Sequence, residues 1–135
     1  MNTFPMHLES TTQYDRVEKV ISFIGEDDSG SFGVLPGHAR MMTLLRFGLA
    51  RFRVLGEDWE YLALPGALAY FLDGELHLST RHYLRGKDYD KISTALEQEL
   101  LVEEDHLQVV KQSLHRLEEE MFKRLWKLKR TGEAL

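Results

Sequence analysis

Histidine is the side chain most often used for proton transfer and metal binding near neutral pH, and it occurs six times in this chain. The six positions are His7, His38, His77, His82, His106 and His115. No two of them have the i, i+4 spacing that presents a pair of imidazoles to a zinc ion on one helix face. His38 follows a Pro-Gly pair, but no serine or carboxylate stands near it in sequence to complete a nucleophile and base. The sequence therefore predicts no catalytic residue and no metal site.

Phosphate and calcium loops are the next chemistry to consider, because glycines and acids cluster between Gly25 and Gly33. Gly30 and Gly33 lack the following lysine and serine or threonine of a P-loop. The acidic stretch 25–30 lacks the flanking helices of an EF-hand and predicts a turn instead. No cofactor is predicted.

Three glycines and one proline fall within the eight residues from Gly30 to Gly37. Such a cluster is typical of tight turns and close backbone approach. Pro36 fixes its own φ angle and lacks an N–H donor, so a short strand from Phe32 to Leu35 should end there, with Gly37 in the turn. We expect a strand, a turn and an exposed loop. An ordinary sandwich turn is the alternative to a functional loop.

The chain around this stretch has the pattern of short strands. Apolar residues alternate with polar ones from Phe4 to Leu8, and both faces of the strand after Trp59 are apolar. Asp73 and Gly74 form a two-residue hairpin signal. About six to ten short strands at this spacing predict a β-sandwich or barrel.

The composition changes at Gly86, which places a β-sandwich domain at residues 1–86 and a helical domain at 87–135. Residues 88–130 contain no glycine or proline, and leucines recur at threes and fours. The apolar stripe is interrupted at Glu103–Asp105, which favours two antiparallel helices over one long helix. The predicted fold class is therefore a mainly β flattened sandwich followed by a C-terminal helical hairpin or a single long helix.

Charge and composition limit the class of function. The chain has 135 residues and a net charge of −5, which argues against binding to nucleic acid, because phosphate binding needs an excess of basic residues. The absence of cysteine rules out disulfides and metal sites built from thiolates. No targeting pattern and no apolar run long enough for a membrane span are visible, so a cytoplasmic location is expected.

Two basic groups could contact an acidic partner. Arg46, Arg51 and Arg53 lie close together, although a solvated strand face is the favoured explanation over an anion or acidic-partner patch. Five cations without an acid lie near the helical C-terminus, more than the helix dipole needs. They are Lys123, Arg124, Lys127, Lys129 and Arg130.

Several motifs together resemble one family. Residues 30–39 resemble the Gly-x-hydrophobic-Gly-hydrophobic-Leu-Pro-Gly-His-Ala signature of the epsilon subunit of F-type ATP synthases. Gly48 stands at that family's next glycine, and residues 63–67 are similar to its small-x-x-Gly-Gly turn, with alanine at the second glycine. Residues 78–86 resemble the Ser-Thr-Arg and Arg-Gly junction of a variant lineage, which accompanies alternate, often sodium-translocating, ATP synthases.

The resemblance implies a non-catalytic central-stalk subunit. In the family, the sandwich docks on the gamma subunit and on the membrane-embedded c-ring, so membrane contact at the cytoplasmic face of a bacterial plasma membrane is indirect. The residues implied to touch these partners are Gly30, Ser31, Phe32, Gly33, Pro36, Gly37 and His38. Ser31 stands where many members carry an acid, so an ionic contact is not implied there.

The resemblance also implies a role for the C-terminal helices. In many members these helices insert basic residues against the catalytic beta subunits and inhibit ATP hydrolysis, which would be the function of the five cations from Lys123 to Arg130. Some members bind ATP through a hydrophobic-Asp-x-x-Arg-Ala motif. The corresponding stretch 89–94 lacks the arginine and the alanine, which predicts no ATP sensing by that route.

Two other classes of function stay open at this point. A stand-alone adaptor could use the helical stripe as a coiled-coil arm, and a small-ligand enzyme could use a pocket on the sandwich. Neither alternative accounts for the ordered motifs.

Overall fold

Alternating apolar residues build the strands of the first part of the chain in a computed structural model that describes residues 2–131. Nine strands form one hydrogen-bonded system within these residues. They are β1 (Phe4–Glu9), β2 (Tyr14–Asp27), β3 (Gly30–Val34), β4 (Met41–Leu45), β5 (Gly48–Val54), β6 (Glu60–Leu64), β7 (Ala67–Leu72), β8 (Glu75–Ser79) and β9 (Leu84–Gly86).

The strand order is β4-β7-β8-β1-β2-β5-β6-β9, and β3 pairs with β2 beside this path. The long strand β2 pairs with β1 through its first half and with β3 and β5 through its second half. Register shifts occur near Val20 in both ladders, and Lys19 there has a φ of 59°. Such bulges increase the local twist, which lets one strand serve both layers of a sandwich.

The core lies between the two layers. The inward residues of β1 are Phe4, Met6 and Leu8, each 1% exposed or less, as the alternation predicts. They pack with inward residues from the other strands into one cluster. The largest of these are Phe23, Phe52, Leu62, Leu64, Phe71, Leu76 and Leu78. The prediction of a β-sandwich is confirmed.

A first helix, α1 (Tyr89–Ala95), covers the outer face of β6. Ile92 packs on Ala63 in a second apolar cluster, together with the buried Leu100. This explains why β6 is apolar on both faces. The helix begins at Asp88, whose carboxylate accepts hydrogen bonds from the amides of Asp90 and Lys91 at 3.1 and 3.3 Å.

The residues after α1 stay helical instead of turning back. A π-helical turn spans Leu96–Leu100, and α2 follows at Leu101–Thr131. The second of the two predicted forms, one long helix, is therefore the one observed. The hairpin favoured by the interrupted stripe at Glu103–Asp105 is therefore wrong for the described residues: α2 runs through these positions and contains no glycine or proline to break it. A π turn, which inserts one extra residue into the helical repeat, lies just before the interruption in the stripe.

The chain divides into two compact units, Met1–Leu101 and Val102–Leu135. The described part of the second unit is α2 alone, and its apolar side chains are exposed, among them Leu114, Leu117, Phe122 and Trp126. None of the helices within residues 2–131 combines the length and apolar content needed to cross a bilayer.

Candidate functional site

The predicted contact loop begins at the hairpin between β2 and β3. The carboxylate of Asp27 accepts hydrogen bonds from the amide of Ser29 at 2.9 Å and from the hydroxyl of Thr43 on β4 at 2.7 Å. The hydrogen bonds from the Ser29 hydroxyl, Thr43 and the Ser29 amide lower the pKa of Asp27. The turn occupies Asp28 and Ser29, inside the predicted acidic turn. The hydrogen bond from Thr43 to Asp27 thereby ties the tip of the β2–β3 hairpin to β4.

Strand β3 carries the next four predicted residues. Gly30 has a φ of 117° at the start of the strand, and Ser31 is exposed opposite Glu26. Phe32 is half-buried and packs against Phe23, with ring centroids 6.5 Å apart. The strand anchors one face in the core and leaves Ser31 and Gly33 at the surface.

The strand ends one residue earlier than predicted, at Val34, and a β-turn follows. The amide of His38 donates to the carbonyl of Leu35 at 3.1 Å, and Gly37 has a φ of 82°. A proline at the second position and a glycine with positive φ at the third identify a type II turn. Leu35 and Gly37 are exposed, whereas Pro36 is half-buried.

His38 is held by packing. Its Nδ1 atom lies 2.7 Å from the carbonyl oxygen of Ala39, which can only accept, so Nδ1 carries the proton. The ring meets Phe71 edge-on, with centroids 5.8 Å apart. The structure thus places all seven predicted contact residues on one continuous segment, β3 and its turn.

The basic residues predicted on the C-terminal helix lie on α2. Lys123, Arg124 and Lys127 are exposed. The side chains of Lys129 and Arg130 lie outside the described part of the structure.

The arginines of the β4 to β5 region each have a local partner. Arg46 lies 3.8 Å from Glu26, and Arg51 lies over the ring of Trp59, 4.7 Å from its centroid. The Nε atom of Arg53 donates to the carbonyl of Glu57 at 3.0 Å. These contacts favour a solvated strand face over a binding patch for a free anion.

A small-ligand enzyme would need a pocket, and one surface depression of about 280 Å³ lies beside β5 and β6. Its lining includes Arg51, Tyr61 and Tyr89. The two tyrosine rings meet edge-to-face with centroids 5.3 Å apart. Glu26 and Ser31, which pair across β2 and β3, also line it, so the depression is partly formed by the β3 segment.

The segment after β8 contains a buried anchor that the sequence did not single out. The hydroxyl of Tyr83 donates to the carboxylate of Asp15 at 2.6 Å, and Tyr83 is 1% exposed. Burial, together with the hydrogen bond to Asp15 and its charge, raises the pKa of Tyr83. The bond joins positions 68 residues apart, so no local pattern could have indicated it.

A second feature missed from sequence lies on the outer face of β1 and β8. These strands run parallel, and His7 is in register with His77. Their rings stack with centroids 4.5 Å apart, and the carboxylate of Glu75 lies 3.5 Å from His7 and 3.8 Å from His77. Burial, followed by the neighbouring His7, lowers the pKa of His77. The i, i+4 spacing identifies histidines that meet on one helix face. It cannot identify histidines that meet across two paired strands, as His7 and His77 do.

Comparison with known proteins agrees with this architecture. Residues 5–86 match the family model described as ATP synthase, Delta/Epsilon chain, beta-sandwich domain. The ATP synthase epsilon chain 2 of Cereibacter sphaeroides is 31% identical over 83 residues, which is 61% of this chain and 57% of that protein. The chloroplastic ATP synthase epsilon chain of Pelargonium hortorum is 30% identical over 91 residues, 67% of this chain and 66% of that protein.

Solved structures show the same fold. A chain in the cryo-EM structure of the Euglena gracilis mitochondrial ATP synthase, OSCP/F1/c-ring in rotational state 1, aligns with a TM-score of 0.58 at 20% identity. The alignment covers 73% of this chain and 64% of that one. A chain of the Tetrahymena thermophila mitochondrial ATP synthase central stalk/c-ring aligns with a TM-score of 0.52 at 8% identity, over 62% and 69%.

The match to the two curated relatives spans 57% and 66% of their length. The family model covers residues 5–86, more than half of the 135 residues. The nine-stranded fold of this region and its glycine-rich β3 segment are in agreement with that match. The chain therefore belongs to the delta/epsilon chain family of ATP synthases, with the beta-sandwich domain of that family.

Proposed function

We propose that the chain is a non-catalytic rotor subunit, an epsilon subunit, in the central stalk of a membrane-bound F-type ATP synthase. The match of residues 5–86 to the delta/epsilon beta-sandwich domain carries this proposal. The relatives named ATP synthase epsilon chain support it. In this role the chain transmits rotation between the c-ring and the catalytic subunits without doing chemistry itself.

The β3 segment is the proposed docking surface toward the c-ring and the gamma subunit. Its contact residues are Gly30, Ser31, Phe32, Gly33, Pro36, Gly37 and His38. The exposed Leu35 and Ser31 favour this assignment, because the segment that carries them is anchored by the hydrogen bond from Thr43 to Asp27 and by the packing of Phe32. A loop that is already ordered before binding loses less conformational freedom when it binds.

The helical part is the proposed regulatory element. In this proposal, residues 1–86 dock on the gamma subunit and the c-ring. Residues 87–135 bring the basic cluster from Lys123 to Arg130 to the beta subunits, where it inhibits ATP hydrolysis. The exposure of Lys123, Arg124 and Lys127 is compatible with an acidic partner surface. Residues 89–94 lack the ATP motif, so the inhibition does not respond to ATP through this stretch.

The complex is proposed to be a bacterial enzyme of the variant, often sodium-translocating lineage, on the basis of the motif at residues 78–86. The chain would then lie at the cytoplasmic face of the plasma membrane and touch the membrane only through the c-ring. Nucleic acid is not a partner of this surface, given the net charge of −5.

A pull-down of the tagged chain from its cell's membrane fraction tests the rotor proposal. The retained material is assayed for ATPase activity and identified by mass. Recovery of gamma, beta and c-ring subunits with activity is the expected result. Recovery of the chain alone, or of unrelated proteins only, would contradict it.

A stand-alone coiled-coil adaptor is the second candidate, because the apolar side chains of α2 from Val109 to Leu128 are exposed. Sedimentation of the purified chain separates the two candidates. The rotor subunit sediments as a monomer without its partners, whereas the adaptor self-associates through α2.

A further inference from the structure

Two histidines and one glutamate meet on the outer face of the sheet, away from the β3 segment. The parallel ladder pairs Met6 with Leu76 and His7 with His77, which brings the two imidazoles side by side. Glu75 precedes His77 by two residues and therefore projects from the same face of β8. One ligand atom from each of the three residues lies within 4.8 Å of the other two.

The imidazole of His7 is an unusual group to bury. His7 is 9% exposed, and within the described residues its Nε2 atom has no hydrogen-bond partner. That atom lies 3.5 Å from a carboxylate oxygen of Glu75, which is too long for a good hydrogen bond. The Nε2 atom of His77 lies 3.8 Å from the same oxygen. The Nε2 atom of His7 is thus buried without a hydrogen bond beside two potential metal ligands, at a cost that a bound cation would remove.

We propose that His7, Glu75 and His77 form a binding site for a divalent transition-metal ion of the zinc type. The two Nε2 atoms and the Glu75 carboxylate supply two nitrogens and one oxygen, a donor set that zinc accepts with water in the remaining position. Imidazole favours zinc, nickel or copper over calcium and magnesium, which prefer oxygen ligands. An ion bound there would link β1 to the parallel strand β8 and keep one coordination position open to water.

The other ring nitrogen of His7 contacts the hydroxyl of Tyr14. The Nδ1 atom of His7 lies 2.6 Å from the Tyr14 hydroxyl. A metal on Nε2 selects the form in which Nδ1 carries the proton and donates it to that hydroxyl. Outer hydrogen bonds of this kind orient metal-bound imidazoles and raise their basicity. Tyr14 is therefore a positioning residue for the site.

The neighbouring charges orient the glutamate. The guanidinium of Arg16 lies 3.8 Å from the second oxygen of Glu75 and also pairs with Glu18. Glu9, two residues after His7 on β1 and in register with Ser79, adds a further negative charge. The carboxylates of Glu9, Glu18 and Glu75 outnumber the one arginine, so the local field favours a cation.

Binding requires one ring to move. The rings of His7 and His77 are 6° from parallel, and a bound metal must lie in the plane of each imidazole. Two parallel planes do not meet, so one ring must tilt as the ligand distances shorten to about 2 Å. His77, whose side chain is 27% exposed, has more room to tilt than His7. The tilt separates His77 from the Tyr70 ring, on which it stacks at 4.5 Å.

Titration of the full chain with zinc at neutral pH, followed by calorimetry, tests the proposal. The expected result is one ion per chain, a rise in the thermal unfolding midpoint with zinc concentration, and tetrahedral absorption bands when cobalt replaces zinc. Each of the variants His77→Gln and Glu75→Gln should abolish the cobalt bands and weaken zinc binding by at least about tenfold. Tyr14→Phe should weaken it by about tenfold and keep the bands.

The matched control is His115→Gln, which removes an exposed histidine whose Nε2 atom lies 3.1 Å from Glu119 on α2. This variant should bind zinc as the unchanged chain does. Zinc binding that is lost in His115→Gln and kept in His77→Gln would overturn the proposal, as would the absence of binding by the unchanged chain. Because Glu75 and His77 are only half-buried, their variants should fold, which circular dichroism checks. The test needs no ATP synthase partner and is independent of the rotor proposal.

Discussion

Gly25 and Gly33 are neighbours across β2 and β3, yet they stand in different environments. A Cβ atom at Gly25 would lie 2.9 Å from a ring carbon of Phe23 and 3.0 Å from a methyl of Leu45. A Cβ atom at Gly33 would meet nothing closer than 3.8 Å. Packing therefore requires glycine at position 25 but not at position 33. The sequence predicted Gly25 to lie in the acidic turn 25–30, whereas it lies in β2.

Replacing Gly25 with alanine should lower the free energy of unfolding by about 1–3 kcal/mol, because the added methyl group overpacks the core. The matched change Gly33→Ala should stay within about 0.5 kcal/mol of the unchanged chain. Urea unfolding followed by circular dichroism measures both. Equal effects of the two variants would contradict the packing argument.

Tyr83 fastens the last segment of the sandwich to β2. Replacing it with phenylalanine removes the hydrogen bond to Asp15 and should cost about 1.5–3 kcal/mol of unfolding free energy, as expected when the acceptor is charged. Tyr89→Phe, at an exposed tyrosine, is the control and should change stability by less than about 0.5 kcal/mol. Chemical denaturation of the two variants at neutral pH makes the comparison.

The same tyrosine predicts a loss of stability in alkali. Its folded-state pKa is raised above the unfolded value of about 10, so the folded state favours the neutral phenol. The resulting stability is fully present below the unfolded pKa and is lost as the pH rises through the folded pKa. Thermal melts across this range should show a decline that Tyr83→Phe reduces. A parallel decline in both chains would refute the assignment.

At the scale of the element, α1 is short and owes its position to its cap and its apolar contacts. Asp88 caps the first turn, and Ile92 and Leu100 pack on the outer face of β6. Leu100 is the last residue of the π-helical turn, so this turn contributes directly to the contact.

Asp88→Ala should lower the unfolding free energy of the first unit by about 1 kcal/mol, because it leaves two amide donors without their acceptor. Asparagine at this position keeps an oxygen acceptor and should retain most of the stability. Hydrogen exchange at the amides of Asp90 and Lys91 locates the effect. Exchange that is unchanged in the alanine variant would show that the cap contributes nothing.

At the scale of the whole molecule, the helical part of the chain is acidic near its start and basic near its end. Residues 88–105 carry seven acids and one base, whereas residues 121–130 carry five bases and no acid. Single ion pairs at the surface contribute little to stability. We therefore expect this uneven charge distribution to affect the choice of binding partner more than the free energy of folding.

Replacing Lys123, Arg124 and Lys127 together with alanine should raise the ATPase activity of the assembled enzyme if these residues hold the helix against the beta subunits. Deleting the residues after Asp105 should raise it at least as far. Steady-state ATP hydrolysis by the purified complex is the measurement. The control is the pair Lys111→Ala and Arg116→Ala, which changes exposed cations outside the cluster. An unchanged rate in both the triple variant and the truncation would exclude inhibition.

The sequence by itself determined the features that depend on neighbouring residues. Asp73 and Gly74 have φ angles of 53° and 77° in a hairpin, Pro36 and Gly37 form a turn, and β1 buries alternate residues. Turn chemistry and strand alternation act over a few residues, so they can be predicted from local order. The ordered motifs from residue 30 to residue 86 likewise indicated the family.

Only the tertiary structure decided the features that depend on distant residues. The register of His7 with His77, the close approach of Leu45 to Gly25 and the bond from Tyr83 to Asp15 belong to this class. Each is set by which strands pair and which faces meet, and many pairings share the same local pattern. Packing of the whole sandwich selects among them, because only one arrangement buries the apolar faces and keeps the backbone hydrogen-bonded.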